Sequence, residues 1–332
     1  MTRLPKLLAL VVLGFAAAIP LATRSSGAAP APQDAGEATE TARRAVLVTG
    51  ASSGIGLRTA EVLAENGYFV YAGARKQKDL DALNALDNVQ GIRLDVTSQD
   101  EIDAAVKTVR DGGRGLYGLI NNAGVVVYGP LIELPVEDLE FQMDVNVTGV
   151  FRVTRAFAPL LIESGGRVST TGSISGTLGW GMGGAYCMSK HAVEAYTDVL
   201  AQELEPFGVK VSIVAPGNYN SKISSNLRAR MKERGYTAEG SRYQEQMEAF
   251  LARPATRDQY KEPDEVAAAF VHAMGAENPK RHYLVVPNEG EAEMTIRAAL
   301  YRVVELNRDQ PYTYTREELI ELLDETMKSA GR

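Results

Sequence analysis

The sequence predicts an α/β fold, a doubly wound parallel sheet of about seven strands, from two observations. Short apolar runs alternate with amphipathic stretches from Arg44 onward, and the first run ends in a glycine-rich turn that opens a helix. Residues 45–48 form the first strand, and a helix over 55–66 follows, with Gly67 as its stop. A strand over 68–72, a helix over 79–86 and a strand over 91–96 come next. A helix over 99–110, capped by Ser98, precedes the strand over 116–121. A long helical region over 136–164, a strand over 167–170, a helix over 185–204 and a strand over 209–214 continue the alternation. A helix over 263–274 and a strand over 281–286 complete a single domain over 44–290.

Two segments stand outside that rhythm. Residues 218–262 are polar and helix-prone, too long for a connection, and read as a lid beside the strand C-termini. Residues 291–332 read as a C-terminal helical extension, two helices broken around Pro311. At the other end, Arg3 and Lys6 precede an uncharged run from 7 to 19 closed by Pro20. That pattern over 1–23 is a signal peptide or membrane anchor, and 24–43 is a flexible linker. The expected location is therefore exported or membrane-anchored, with a cytoplasm-facing anchored domain as the alternative, because cations flank both sides of the run.

Composition excludes several functions. The net charge of −7 offers no basic stripe to nucleic acid. One cysteine, Cys187, precludes an intrachain disulfide, and three histidines with that thiol make no zinc spacing, so no metal is expected.

The turn after the first strand reads Thr49, Gly50, Ala51, Ser52, Ser53, Gly54, Ile55, Gly56. Glycines there let the backbone turn tightly against a pyrophosphate while the helix N-terminus presents free N–H groups. This is a Rossmann-type nucleotide site. An NAD site places a carboxylate at the end of the second strand for the ribose 2′-OH. Here Gly73, Ala74, Arg75 and Lys76 occupy that place, and Arg75 suits the 2′-phosphate of NADP(H), which is preferred over NAD(H).

Tyr186 and Lys190 are four residues apart and share a helix face. Lowering a phenol pKa from about 10 to about 7 takes roughly 4 kcal/mol, which a nearby ammonium in a partly dry site can supply. Tyr186 then exchanges a proton with an alcohol or ketone, and Ser173 hydrogen-bonds its oxygen.

Gly50 to Gly56, the run Asn121, Asn122, Ala123, Gly124, then Asn146, Ser173, Tyr186 and Lys190 resemble the motif set of the short-chain dehydrogenase/reductase family, over roughly 44–286. The resemblance implies that Lys190 also holds the nicotinamide ribose and that Asn146 supports a water relay. It assigns Asp95 and Val96 to the adenine, and Asn122, Ala123, Gly124, Pro216, Gly217 and Ser221 to the cofactor, Ser221 standing where the family has threonine. Residues 166–216 are most similar to steroid and retinol dehydrogenases and to membrane-associated 3-hydroxybutyrate dehydrogenases. The resemblance also implies a homodimer or homotetramer.

The expected activity is hydride transfer between NADP(H) and a hydrophobic secondary alcohol or ketone. An NAD-linked 3-hydroxy acid dehydrogenase is the enzymatic alternative, with Lys222 or Arg228 of the lid as carboxylate anchor. A non-catalytic nucleotide-binding scaffold or sensor is the third reading. Trp180 and Met182, in the glycine-rich stretch before Tyr186, face either the substrate or the lid, and His191 is a surface or interface histidine.

Overall fold

A computed structural model describes residues 43–330, so the expected leader and nearly all of the linker lie outside the described residues. Seven strands form one sheet: β1 (Ala45–Val48), β2 (Phe69–Ala74), β3 (Val89–Arg93), β4 (Gly118–Asn121), β5 (Arg167–Thr171), β6 (Lys210–Pro216) and β7 (His282–Val285). Their order is β3-β2-β1-β4-β5-β6-β7, parallel throughout. The chain reverses its winding between β1 and β4, and in such sheets the crevice beyond those strand ends receives the ligand.

Alternation along β1 sets the two layers. Ala45 and Leu47 point to one face, where α3 (Gln99–Asp111), α5 (Gly149–Ser164) and α6 (Gly184–Leu204) bury Ile102, Phe157 and Leu204 among others. Val46 and Val48 point to the other, against α1 (Gly54–Glu65), α2 (Gln77–Asn84) and α9 (Asp264–Gly275), which bury Leu63, Leu83 and Phe270. Both sheet faces are covered, so β1 is apolar throughout rather than alternating. The Ser98 hydroxyl caps α3 by accepting the Glu101 N–H at 3.3 Å, as its sequence position predicts.

The helical region over 136–164 is not one continuous α-helix. It divides into α4 (Val136–Met143) and α5, joined by a π-helical turn, Asp144–Thr148. A π-turn inserts one residue into the helical ladder, and here it carries Asn146.

The lid contains α7 (Ile223–Glu233) and α8 (Gln244–Ala252). It is pinned to α4 by Asp138, 2% exposed, which receives Arg230 Nη2 at 2.7 Å, Arg234 Nε at 3.2 Å and the Tyr236 hydroxyl. Charge-assisted bonds to a buried carboxylate are among the stronger ones a protein makes. The extension forms α10 (Glu289–Asn307) and α11 (Arg316–Ala330), on either side of Pro311 as expected.

Candidate active site

A cavity of about 1080 Å³ opens beyond the C-terminal ends of β1, β4, β5 and β6. One wall is the turn between β1 and α1. Gly50 has φ +66, and a Cβ at Gly56 would lie 2.3 Å from Asn122 Nδ2 and 2.4 Å from the Gly50 carbonyl oxygen. Only glycine permits that contact. Asn122 fastens the turn by donating to the carbonyls of Thr49 (3.0 Å) and Gly50 (3.2 Å), while Thr49 Oγ1 accepts the N–H groups of Asn122 and Ala123.

At the end of β2, Arg75 reaches Asp95 at 3.5 Å and is 65% exposed. Burial acts to raise the Asp95 pKa, but hydrogen bonds from the Thr97 N–H and hydroxyl, with the Arg75 charge, hold it below the usual carboxylate range.

The turn after β5 places Ser173, whose hydroxyl caps a short 3₁₀ turn by accepting the Ser175 N–H at 3.1 Å. The first turns of α6 carry Tyr186 and Lys190, and both line the cavity with Ser173. Lys190 is buried, and its Nζ donates to the Thr171 carbonyl at 2.7 Å. Burial lowers its pKa to about 8, opposed by the charge of Glu194 one turn on.

The phenol differs from the sequence expectation. Burial raises the Tyr186 pKa above its ordinary value, with the Ser173 hydroxyl and the charge of Arg257 pulling it back. Lys190 Nζ lies 5.7 Å from the Tyr186 ring centroid.

Arg257 is the site residue that sequence reasoning missed. It follows α8 in an irregular stretch, bears no motif, and lies 71 positions from Tyr186, so no periodic signal marks it. Its Nε donates to the Tyr219 carbonyl at 2.9 Å and its Nη2 to Asn218 Oδ1 at 2.9 Å. Glu291 of α10 in turn accepts the N–H of Asn218 at 2.8 Å, and a Cβ at Gly217 would collide with that carboxylate. The C-terminal extension thus buttresses the loop after β6, and its Met294 lines the cavity.

Gly50, Ser52, Ser53, Ile55, Gly56, Arg75, Asp95, Val96, Asn122, Ala123, Gly124, Pro216, Gly217 and Ser221 all line the cavity. Gly54 lies beside it, with φ +56 and an added Cβ 3.0 Å from that of Ser221. Asn146 stands behind the wall. Its Oδ1 accepts the Val125 N–H at 2.8 Å, and its Nδ2 donates to the Val125 carbonyl and Ser189 Oγ at 3.0 Å each. That amide is committed to clamping the loop after β4.

The two lid anchors separate. Lys222 lines the cavity, whereas Arg228 does not: its Nη2 donates to the carbonyls of Leu251 and Arg253, its guanidinium lies over Phe250 and its Nη1 is buried without a partner among the described residues, so it is withdrawn as an anchor. Trp180 lines the cavity and donates to Ser175 Oγ at 3.0 Å, while Met182 packs in the apolar cluster of the lid. His191 meets Arg302 of α10 at 3.2 Å, an interface within the chain.

These residues fit a nicotinamide dinucleotide. Ser53 offers no side-chain cap to the first N–H groups of α1, which face the cavity wall. Among the described residues no cluster of His, Cys, Asp or Glu is suited to a metal ion.

Sheet order and the glycine turn define a Rossmann-type α/β protein, with Ser173, Tyr186 and Lys190 gathered in one cavity. A family model described as short chain dehydrogenase matches residues 44–232, and the chain belongs to that family. Mitochondrial D-beta-hydroxybutyrate dehydrogenase of Mus musculus is 36% identical over 201 residues, 57% of this chain and 58% of that protein. The 17-beta-hydroxysteroid dehydrogenase type 6 of Homo sapiens is 38% identical over 195 residues, 57% of this chain and 61% of its own length. The aligned region thus spans less than two thirds of either relative. A solved short chain dehydrogenase/reductase of Burkholderia phymatum, in complex with NAD, superposes with TM-score 0.68 at 27% identity, covering 82% of this chain and 98% of its own.

Proposed function

We propose that this protein is an NADP(H)-preferring oxidoreductase acting on a secondary alcohol or ketone with an apolar body. The observation that carries the reading is the convergence of Ser173, Tyr186 and Lys190 in the cavity walled by the glycine turn. By their names, the mouse and human relatives act on hydroxybutyrate and a hydroxysteroid, both secondary alcohols.

Tyr186 holds the proton that moves. In reduction its neutral phenol donates to the carbonyl oxygen, and burial favours that neutral form at ordinary pH. Ser173 donates a hydrogen bond to the same oxygen as charge develops there. The charge of the Lys190 ammonium, 5.7 Å from the Tyr186 ring centroid, favours the phenolate left behind, which is reprotonated from solvent. When bound, the nicotinamide supplies or accepts the hydride, so each ketone reduced consumes one reduced cofactor and one proton. Gly50, Ser52, Ser53 and Gly56 would hold its pyrophosphate, Lys190 its ribose, and Arg75 the 2′-phosphate, in competition with Asp95. Val126, Tyr128, Leu178, Trp180 and Phe250 give the substrate end its apolar wall.

The reading includes a homo-oligomer, supported by exposed apolar side chains on α10 and α11 such as Leu300, Tyr301, Leu306 and Leu323. It also includes membrane association or export through the N-terminal segment, to be tested by fractionation.

Reduction of a carbonyl panel with NADPH and NADH in parallel tests the whole. Turnover is expected, faster per cofactor concentration with NADPH, and Tyr186→Phe should lower kcat about 10²–10⁴-fold with cofactor binding retained. Cofactor binding with no turnover of any carbonyl would instead establish a nucleotide-binding scaffold.

A further inference from the structure

The lid end of the cavity carries cations without acids. Lys222, Arg253 and Arg257 line it, and none of the three enters an ion pair among the described residues. Among the described residues, carboxylates line the cavity only at Asp95 and Asp144, and Asp144 is paired with Arg152 at 2.7 Å. Lys222 follows Ser221, which packs against Gly54 of the glycine turn, whereas Arg257 lies near enough to Tyr186 for the two charges to influence each other.

Arg257 is half-buried, fixed and incompletely used. Burial weakens its protonated form, the cost of placing a guanidinium in a cleft without a counter-ion. Glu291 exerts a favourable field on it, yet that carboxylate is engaged by the N–H and Nδ2 of Asn218 and by Asn288 Nδ2. Two bonds hold Nε and Nη2, the guanidinium lies 4.4 Å from the Tyr260 ring centroid, and Nη1 has no hydrogen-bond partner among the described residues. A pre-positioned guanidinium of this kind binds a carboxylate at little ordering cost.

We propose that Arg257 binds a carboxylate of the substrate, so that the cleft selects hydroxy acids and oxo acids with an apolar segment over neutral alcohols and ketones. The proposal rests on the Tyr186 reading above and adds a substrate class to it. The carboxylate takes no part in the redox step. It orients the molecule so that its hydroxyl or carbonyl stands at Tyr186 and Ser173.

A 3-oxo acid and its methyl ester, matched in chain length, test the claim in wild type, Arg257→Met, Arg257→Lys and Arg228→Met. The wild type should prefer the acid, and Arg257→Met should lower the acid-to-ester ratio of kcat/KM about 30–100-fold, the size of a lost charge-assisted bond. Arg257→Lys should restore part of that ratio, and Arg228→Met, a lid arginine without cavity exposure, should leave it in place. Equilibrium binding of the acid and ester with NADP present gives a readout independent of turnover, and NADPH affinity is measured beside it. Equal loss for acid and ester, or no preference in the wild type, would overturn the proposal by making Arg257 a support for Asn218 and Tyr219. Weakened NADPH binding in Arg257→Met, with the ratio kept, would overturn it by assigning the cation to the cofactor. If no carbonyl is turned over, the oxidoreductase reading fails, and the binding arm still decides Arg257.

Discussion

Lys190 shows at the scale of one residue what the site costs the fold. The residue is 6% exposed, its ammonium donates to one carbonyl, and burial lowers its pKa from 10.5 to about 8. Below that pH the protonated group is held where it is less comfortable than in the unfolded chain. Between about 8 and 10.5 the unfolded state binds more protons, so this residue's contribution becomes more favourable as pH rises through that window. The shift corresponds to about 3 kcal/mol at 1.36 kcal/mol per unit, and losing the bond to Thr171 offsets about 1 kcal/mol. Lys190→Met should therefore be inactive yet about 2 kcal/mol more stable at pH 7, with its advantage shrinking toward pH 10 when urea midpoints are compared. A variant less stable than wild type at neutral pH would show that the lysine holds the fold as well as the chemistry. Tyr186, Lys190, Ser173 and the glycines were legible because their spacing encodes a helix face or a turn. Arg257 was not, because its place depends on how the lid wraps, and Arg228 was misassigned because a sequence shows a charge without showing its partners.

Among the elements, β7 is one of the two edges of the sheet, four residues long, and a cluster of side chains fastens it to α6. His282 Nδ1 lies 3.0 Å from Glu194 and its Nε2 2.9 Å from Asp198, so both ring nitrogens meet carboxylates. The hydrogen bond with Glu194 is the largest influence raising the His282 pKa above 6.5, against burial, with Asp198 adding to it. A raised histidine stabilises fully below its unfolded value and loses that contribution as pH rises through the folded one. Thermal unfolding should thus favour wild type over His282→Gln below about pH 6.5, with the difference closing as pH rises above that ordinary value and the imidazole neutralises. A difference independent of pH would mean that packing, not charge, holds the edge. The strands and the helices that cover them could be read from the sequence because they bury continuous faces against one another. Lid helix α8 buries only Met247, and α7 only Leu227 and Met231, so neither carries a sheet-facing stripe that fixes its ends in advance. The π-turn at Asp144–Thr148 escaped for a related reason: one extra residue in a helical ladder leaves the apolar pattern almost intact.

Over the whole molecule, two charge distributions compete for an anionic ligand. The chain carries −7 overall, which repels a dinucleotide from a distance. The cleft is lined by Arg75, Lys190, Lys222, Arg253 and Arg257 against the carboxylates of Asp95 and Asp144, which attracts it at close range. At 0.1 M salt the field of a charge is largely screened beyond about 10 Å, so added salt weakens both fields, and the sign of the salt effect reveals which one governs binding. If the net charge governed, added salt would tighten NADPH binding. The cleft cations lie within contact distance of any ligand that fills the cavity, while the surface acids are spread over the outside, so the local field should win. Raising sodium chloride from about 0.05 to about 0.5 M should therefore weaken NADPH binding, and weaken it more steeply than NADH, because the 2′-phosphate adds charge beside Arg75. Arg75→Ala should bring the two slopes together, measured by cofactor fluorescence titration. Parallel slopes in the wild type would remove Arg75 from the 2′-phosphate and leave its pairing with Asp95 as its whole role.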